Sequence, residues 1–361
     1  MAEGMKVNDP LRLLVVGHGV RGRQWVGAIA STAGVGPAGV VDVDERALRD
    51  LACPTFTHLA DALKAVNPDG AILATPPETH ISDAHLLFAQ QIPVLAEKPL
   101  AKSLEDAAEL VRQSQRQKVP LLVGMNYRFL PVIQRLRAIV HSGEYGKLLY
   151  GDFSDLRNRD GTRPDLNSYP LTMSQPMLLE ESVHHVDLIR FAYGREVDSV
   201  VGDTWNPPTS VYASDSCVAA LMRFTDGTRL SYLGTWTSGT NRYHFNWRTD
   251  FENGVVVQKD FVGSLFAARR VPGQERVGPH YDTVTEPLES LNVPETRMNV
   301  EDTEQLLGHF ARTLRGEETP RVTGADHLRT LAVLRAIAVA AETGRRVQVA
   351  EIYASLGVGA Y

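Results

Sequence analysis

Up to about residue 125, short wholly apolar runs alternate with amphipathic segments. Leu13 to Val16, Val40-Val41, Thr55 to Thr57, Gly70 to Ala74, Ile92 to Ala96 and Val119 to Val123 read as strands. A strand buried on both faces is a continuous apolar run, as parallel strands are. Helices are expected from near Val20, over Glu45 to Ala52, Leu59 to Val66, Ser82 to Gln90 and Leu104 to Gln117. Strand and helix in alternation predict βαβ units and a doubly wound parallel sheet. Beyond this the pattern changes. A helix near Val132 to His141 and a strand around Leu148 to Asp155 are followed by longer runs at Ser216 to Phe224, Arg229 to Trp236, Tyr243 to Phe251 and Val255 to Lys259. Asp226-Gly227 and Asn253-Gly254 between these runs are hairpin signals. The prediction is a second α/β domain with a large, mostly antiparallel open sheet, one face covered by helices. Residues 272 to 297 read as a long loop, and helices over Asn299 to Arg315 and Ala325 to Thr343 close the chain. The boundary is placed after residue 128, giving domains 1–128 and 129–361.

The first strand carries the first chemical signal. Val16 leads into Gly17-His18-Gly19-Val20-Arg21-Gly22, a G-x-G-x-x-G turn at the start of a helix. Gly17 permits a tight turn, Gly19 lets backbone approach a pyrophosphate, and Gly22 allows close packing of helix on strand. The N–H groups from Val20 onward would face the phosphates. Asp42 follows Gly22 by twenty positions at the end of the next strand, the spacing at which an acid accepts the adenosine ribose hydroxyls and repels a 2′-phosphate. NAD is therefore expected in preference to NADP. Asp44 reads as a helix cap instead.

Ligands in such sheets sit beyond the carboxyl ends of the strands. Those ends are Thr75-Pro76-Pro77, with His80 close behind, and Glu97-Lys98-Pro99. His80 fits a cleft residue and a surface helix residue equally well. Lys98 is placed to meet a substrate oxygen or the nicotinamide. In the second domain, LLEESVHHVDLIRFAYG puts Leu179, Val183, Val186 and Tyr193 on a buried stripe, and Glu180, His184 and Asp187 on an adjacent face. A carboxylate beside histidine suits a general base, although a plain polar face has the same spacing. His185 points elsewhere and reads as structural or as an interface residue.

Composition narrows the field. The chain has 361 residues, 43% of them hydrophobic, and a net charge of −6, which disfavours a nucleic-acid surface. Cys53 and Cys217 are the two cysteines, and no third histidine or H-E-x-x-H pattern accompanies Glu180 and His184, so no metal site is expected. MAEGMKVNDP lacks the character of a signal peptide, and no apolar segment is long enough to span a bilayer. The expectation is a cytoplasmic protein with no membrane partner.

Taken together, the glycine turn, Asp42, Ala74-Thr75-Pro76-Pro77, Glu97-Lys98-Pro99, Glu180-x-x-x-His184-x-x-Asp187, Gly324-Ala325-Asp326 and Thr343-Gly344-Arg345 resemble the glucose-fructose oxidoreductase, inositol dehydrogenase and rhizopine-catabolism (Gfo/Idh/MocA) family over essentially the whole chain. The resemblance implies an NAD(P)-binding Rossmann domain and a C-terminal domain whose sheet makes homodimer or homotetramer contacts. It also implies oxidation of a sugar, sugar-acid or inositol hydroxyl. Carried over by position, His184 is the base, Lys98 holds the same oxygen and orients the nicotinamide, and Glu180 stands where the family usually has Asp. Ser182 replaces a frequent Gly. Gly17, Gly19, Val20, Gly22, Asp42, Thr75, Pro76, His80, Glu97 and Lys98 are the expected cofactor contacts. Lys98, Tyr127, Arg128, Arg157, Tyr169, Glu180 and His184 are the expected substrate contacts, with Asn126, Asn158 and Arg163 as further polar candidates. Arg157 and Arg163 also fit solvated loop charges, Tyr169 fits a core aromatic, and Trp236 and Trp247 fit sheet packing. Two other functions suit the same residues. One is a glycoside-cleaving or epimerising enzyme that keeps its NAD through a transient oxidation. The other is a dinucleotide-binding sensor with vestigial catalytic residues.

Overall fold

The computed structural model describes residues 9–159, 168–270 and 288–356. The expected loop over 272–297 falls mostly outside these residues. Six short strands form the first sheet: β1 (Leu11–Val16), β2 (Val35–Val41), β3 (Thr55–Phe56), β4 (Gly70–Leu73), β5 (Val94–Ala96) and β6 (Leu121–Val123). Their order is β3-β2-β1-β4-β5-β6 and every pairing is parallel. Leu13, Leu14, Val15 and Ile72 are sealed from solvent at its centre, so apolar side chains point to both faces. Between the strands run α1 (Val20–Ser31), α2 (Leu59–Ala65), α3 (His80–Ala89) and α4 (Leu104–Gln117). Ser103 caps α4 by accepting the Asp106 N–H at 3.0 Å. The helix expected over Glu45 to Ala52 is one 3₁₀ turn, Glu45–Leu48, capped by Asp44.

The chain divides into two units. The first takes residues up to Phe129 and also Arg297–Arg329, whereas a single cut after residue 128 assigns that later segment to the second domain. The reason is apolar packing that sequence distance conceals. Phe310 and Leu314 of α7, numbered here after α5 (Pro131–Ser142) and α6 (Ser182–Tyr193) and spanning Glu301–Leu314, crowd Gly70 of β4. The Val123 N–H also donates to the Val322 carbonyl at 2.8 Å.

The second unit is built on nine strands: β7 (Leu148–Leu156), β8 (Val197–Trp205), β9 (Cys217–Phe224), β10 (Arg229–Thr235), β11 (His244–Phe251), β12 (Gly254–Gln258), β13 (Leu265–Arg269), β14 (Glu289–Ser290) and β15 (Val347–Gln348). They run in the order β14-β13-β12-β11-β7-β10-β9-β8-β15, with β7 and β10 the one parallel pair. Both predicted hairpin turns join strands as expected: Asp226-Gly227 links β9 to β10 and Asn253-Gly254 links β11 to β12. The inner face carries Phe153, Tyr232, Trp247 and Phe224 beneath α6. Trp247 Nε1 donates to Tyr193 Oη at 3.2 Å, which fixes α6 on the sheet. Strands β8 and β13 escaped the sequence reading because Gly202, Asp203 and the brevity of Leu265–Arg269 dilute their alternation. Among the described residues, no helix is long and apolar enough to cross a membrane.

Candidate active site

The glycine turn is a backbone device. Gly17 has φ +93°, and a Cβ there would lie 2.7 Å from the Ala74 carbonyl oxygen. At Gly22 a Cβ would collide with the Gly17 carbonyl oxygen, whereas Gly19 has nothing within 4 Å of that position. Gly19 is the N-cap of α1, no side chain caps it, and the first turn carries no acid. The opening N–H groups of α1 thus carry no side-chain cap and no neighbouring acid, which is what an anion at a helix N-terminus requires. Val20, at the first helical position, is exposed. Asp42 ends β2 half-buried, its Oδ2 accepting the His18 N–H at 2.6 Å and its Oδ1 the Asp44 N–H at 2.9 Å. The turn and the acid are therefore one hydrogen-bonded unit.

Thr75 is half-buried and Pro76 exposed at the end of β4. Three other expected contact residues, His80, Glu97 and Arg128, have partners within the protein. His80 is wholly buried, its Nε2 2.9 Å from the Thr75 carbonyl and its Nδ1 3.1 Å from the Leu100 carbonyl. It ties the turn after β4 to the chain after Pro99 and presents neither nitrogen to a ligand. Glu97 is buried too. Its Oε1 accepts from Trp25 Nε1 at 2.7 Å and from Arg21 Nε at 2.8 Å, so it grips α1. Burial opposes the Arg21 charge, and the Glu97 carboxylate more than restores it. Arg128, also buried, spends its guanidinium on Asp326 and on the Arg321 carbonyl at 2.9 Å. Asn126 likewise donates to Asp302 and Asn299. Lys98 and Tyr127 remain half-buried at the ends of β5 and β6.

In the second unit, the helix expected to run unbroken from Leu178 begins as a π-helical turn, Met177–Glu181, before α6 takes over at Ser182. Such turns carry one residue more than an α-turn and recur at functional sites. Glu180 lies in the π-turn, and the Tyr169 hydroxyl hydrogen-bonds to it. Burial of that hydroxyl, reinforced by the Glu180 charge, raises the Tyr169 pKa above the ordinary phenol range, although half of the residue's surface faces solvent. His184 is 6% exposed one turn further on, and Asp187 is fully buried, accepting from Thr330 Oγ1 at 3.2 Å. Arg157 is neither a solvated loop charge nor turned to open space: it pairs with Asp155 at 3.1 Å and with Glu181. Asn158 is exposed and donates to Asn241 at 3.2 Å. Arg163 lies outside the described residues. Trp236 and Trp247 are core residues.

Residues 11–125 match the model of the oxidoreductase family with an NAD-binding Rossmann fold, and residues 133–257 match the GFO/IDH/MocA C-terminal domain. Inositol 2-dehydrogenase of Mycolicibacterium smegmatis is 32% identical over 273 residues, covering 73% of this chain and 75% of that protein. This chain belongs to the Gfo/Idh/MocA oxidoreductase family. The rhizopine catabolism protein MocA of Rhizobium meliloti is 31% identical over 276 residues, 70% of this chain and 85% of its own. The fold of this oxidoreductase is shared by an Agrobacterium radiobacter oxidoreductase solved with NAD+, L-tartaric acid and magnesium. That structure has a TM-score of 0.81 at 20% identity over 95% of this chain and 99% of the other.

The cofactor is NAD, and the first unit fits it: an uncapped helix start, an open Gly19 and a carboxylate at the end of β2 are what pyrophosphate and ribose require. Sequence reasoning missed the Arg21–Glu97–Trp25 grip and the Asp155–Arg157–Glu181 pairing. Nothing in the sequence around Trp25 points to Glu97, 72 residues away. Nothing near residue 181 in the sequence points to Asp155.

Proposed function

We propose that this oxidoreductase is an NAD-dependent dehydrogenase or reductase acting on a hydroxyl of a sugar, sugar acid or inositol, and that it works in the cytoplasm. The observation that carries this reading is Lys98 at the carboxyl end of β5, in the unit that holds the cofactor. Likeness to inositol 2-dehydrogenases over 76% and 73% of the chain supports the substrate class. Bound NAD supplies the hydride acceptor. A carbinol loses hydride only as its hydroxyl proton departs, so one base and one cationic donor on the same oxygen suffice. His184 takes that proton at its imidazole. Lys98 donates to the oxygen, and Glu180, with Tyr169 on its carboxylate, holds a neighbouring substrate hydroxyl or braces His184. Tyr127 contributes a further polar contact. Asp42 sets the preference for NAD over NADP.

The test is NADH formation over a panel of sugars, sugar acids and inositols, with NAD and NADP in parallel. Turnover with one polyol class and NAD is expected, lost by about 100-fold or more in His184→Ala while NAD binding stays within about twofold. Full activity in that variant overturns the assignment of the base. Tightly retained NAD without net NADH points to the transient-oxidation enzyme. NAD binding with no turnover on any substrate points to the sensor.

We also propose that the outer face of the nine-stranded sheet pairs with a second copy of the chain. Val201, Leu221, Leu233 and Trp205 are each more than a third exposed there, and Leu221 pairs directly with Val201. Apolar side chains at this density mark an interface. Light scattering should give a dimer or tetramer, and a monomer for Leu221→Glu.

A further inference from the structure

We propose that Asp155, Glu181 and His185 form a binding site for one divalent transition-metal ion, Zn2+ or Mn2+, which cross-links the end of β7 to the π-turn carrying Glu180. The proposal does not depend on the dehydrogenase reading. One ligand atom from each of the three side chains lies within 4.8 Å of the other two. His185 and Asp155 are wholly buried, and Glu181 is partly exposed.

The protons decide what His185 presents. The single Ser182 hydroxyl proton goes to the Met177 carbonyl at 2.9 Å. Tyr232, 2.6 Å from the Ser182 oxygen, must then donate its own proton there, and its oxygen accepts from His185 Nδ1 at 2.9 Å. With Nδ1 carrying the hydrogen, the Nε2 of a neutral ring offers a lone pair. Burial favours that neutral ring, against the pull of Asp155 and Glu181. Nε2 has no hydrogen-bond partner, and it stands 3.5 Å from Asp155 Oδ2 and 3.6 Å from Glu181 Oε1. A lone pair facing two carboxylate oxygens is repulsive; Arg157, which pairs with both carboxylates, offsets part of that charge, and a cation between the three ligand atoms offsets the rest.

The distances suit one. Bonds of about 2.0–2.1 Å to nitrogen and oxygen in a tetrahedral site set ligand atoms roughly 3.3 Å apart, beyond hydrogen-bond length and close to both separations. Two carboxylates and an imidazole match the ligand preferences of Zn2+ and Mn2+. The surroundings also resemble a supporting shell. Arg157 Nε lies 3.1 Å from Asp155 Oδ1, leaving Oδ2 toward the centre, and Tyr243 Oη donates to Oδ2 at 2.8 Å. Tyr232 fixes the imidazole tautomer, as an outer partner of a metal-bound histidine does. Arg157 also touches Glu181. Counting Arg157 against two carboxylates, the cluster keeps one net negative charge, which an entering cation reverses.

The experiment is calorimetric titration of Zn2+ into chelator-treated protein, with unfolding temperatures measured alongside. Expected are one tight site per chain, weakened about 100-fold in Glu181→Gln, and a Zn2+-dependent rise in unfolding temperature that this variant lacks. Glu181 is the partly exposed ligand, so its variant is the one most certain to fold; His185→Gln gives the same result wherever it folds. Absence of a tight site overturns the proposal. So does uptake undiminished in Glu181→Gln, or a nitrogen-15 spectrum of the Zn2+-treated protein showing His185 protonated on both nitrogens.

Discussion

The candidate functional residues of the two units are made of different materials. Around Gly17, Gly19 and Gly22 the working parts are backbone amides and the absence of side chains, all within one stretch of chain. Around α6 the working parts are side chains that meet across large gaps in sequence: Tyr169 with Glu180, Asp187 with Thr330, Asp155 with Glu181. A backbone site leaves its mark in the sequence as a spacing, and it fails as a whole when one position is changed. A side-chain site leaves only residue types, and it fails by degrees.

Gly22→Ala is the strongest test of that contrast. Its Cβ would strike the Gly17 carbonyl, and the backbone shift needed costs about 3 kcal/mol, about a hundredfold in NAD affinity. Fluorescence titration should show this; near-normal affinity would mean that the turn yields more easily than its geometry indicates. Glu97→Gln asks whether the backbone half depends on side chains after all. Withdrawing the carboxylate from Arg21 and Trp25 should cost roughly 2 kcal/mol of stability in denaturant unfolding, with weaker NAD binding because α1 loses its anchor. Tyr169→Phe probes the other half. Losing one hydrogen bond to a charged Glu180 should lower kcat by about tenfold, leaving NAD affinity and unfolding midpoint unchanged.

The smallest effect expected is on acid stability in the first unit. Burial pushes the Glu318 carboxyl up, but Arg312, His309 and Arg321 overcome it and hold it at about 2. Burial lowers His309, which accepts the Arg321 N–H at 3.0 Å on Nε2 and stands 3.1 Å from Glu318 through Nδ1. Both groups titrate below their ordinary values of 4.5 and 6.5. Their contribution is therefore complete above pH 6.5 and declines as pH falls toward 2. With a quarter of the Glu318 side chain exposed, the Glu318 term is about 1 kcal/mol. Thermal unfolding of the protein and of Glu318→Gln should differ at pH 7, with the gap narrowing below pH 4.5 and closing only near pH 2.

The same division explains what could be read in advance. Continuous apolar runs announced the parallel sheet because its strands are buried on both faces, and two Gly-containing dipeptides located the hairpins. Glu97, Arg128 and His80 were recognised as important positions, but their partners inside the protein were not legible, since spacing does not say which way a side chain turns. Arg297–Arg329 reads as a pair of closing helices, and nothing local tells that Phe310 and Leu314 cover Gly70. His185 read as a structural or interface residue because its neighbours Asp155 and Tyr232 come from strands elsewhere in the chain.

The π-turn at Met177–Glu181 makes the placement of Glu180 sensitive to the deletion of a single residue. One of its residues is surplus to a regular α-helix. A single-codon deletion there would let α6 wind back without interruption and turn every residue upstream of Ser182 by about 100° around the axis. Glu180 would leave its station relative to His184 while the core beneath α6 stayed packed. A new placement of Glu180 relative to His184 is thus one short deletion away, with no new side chain required.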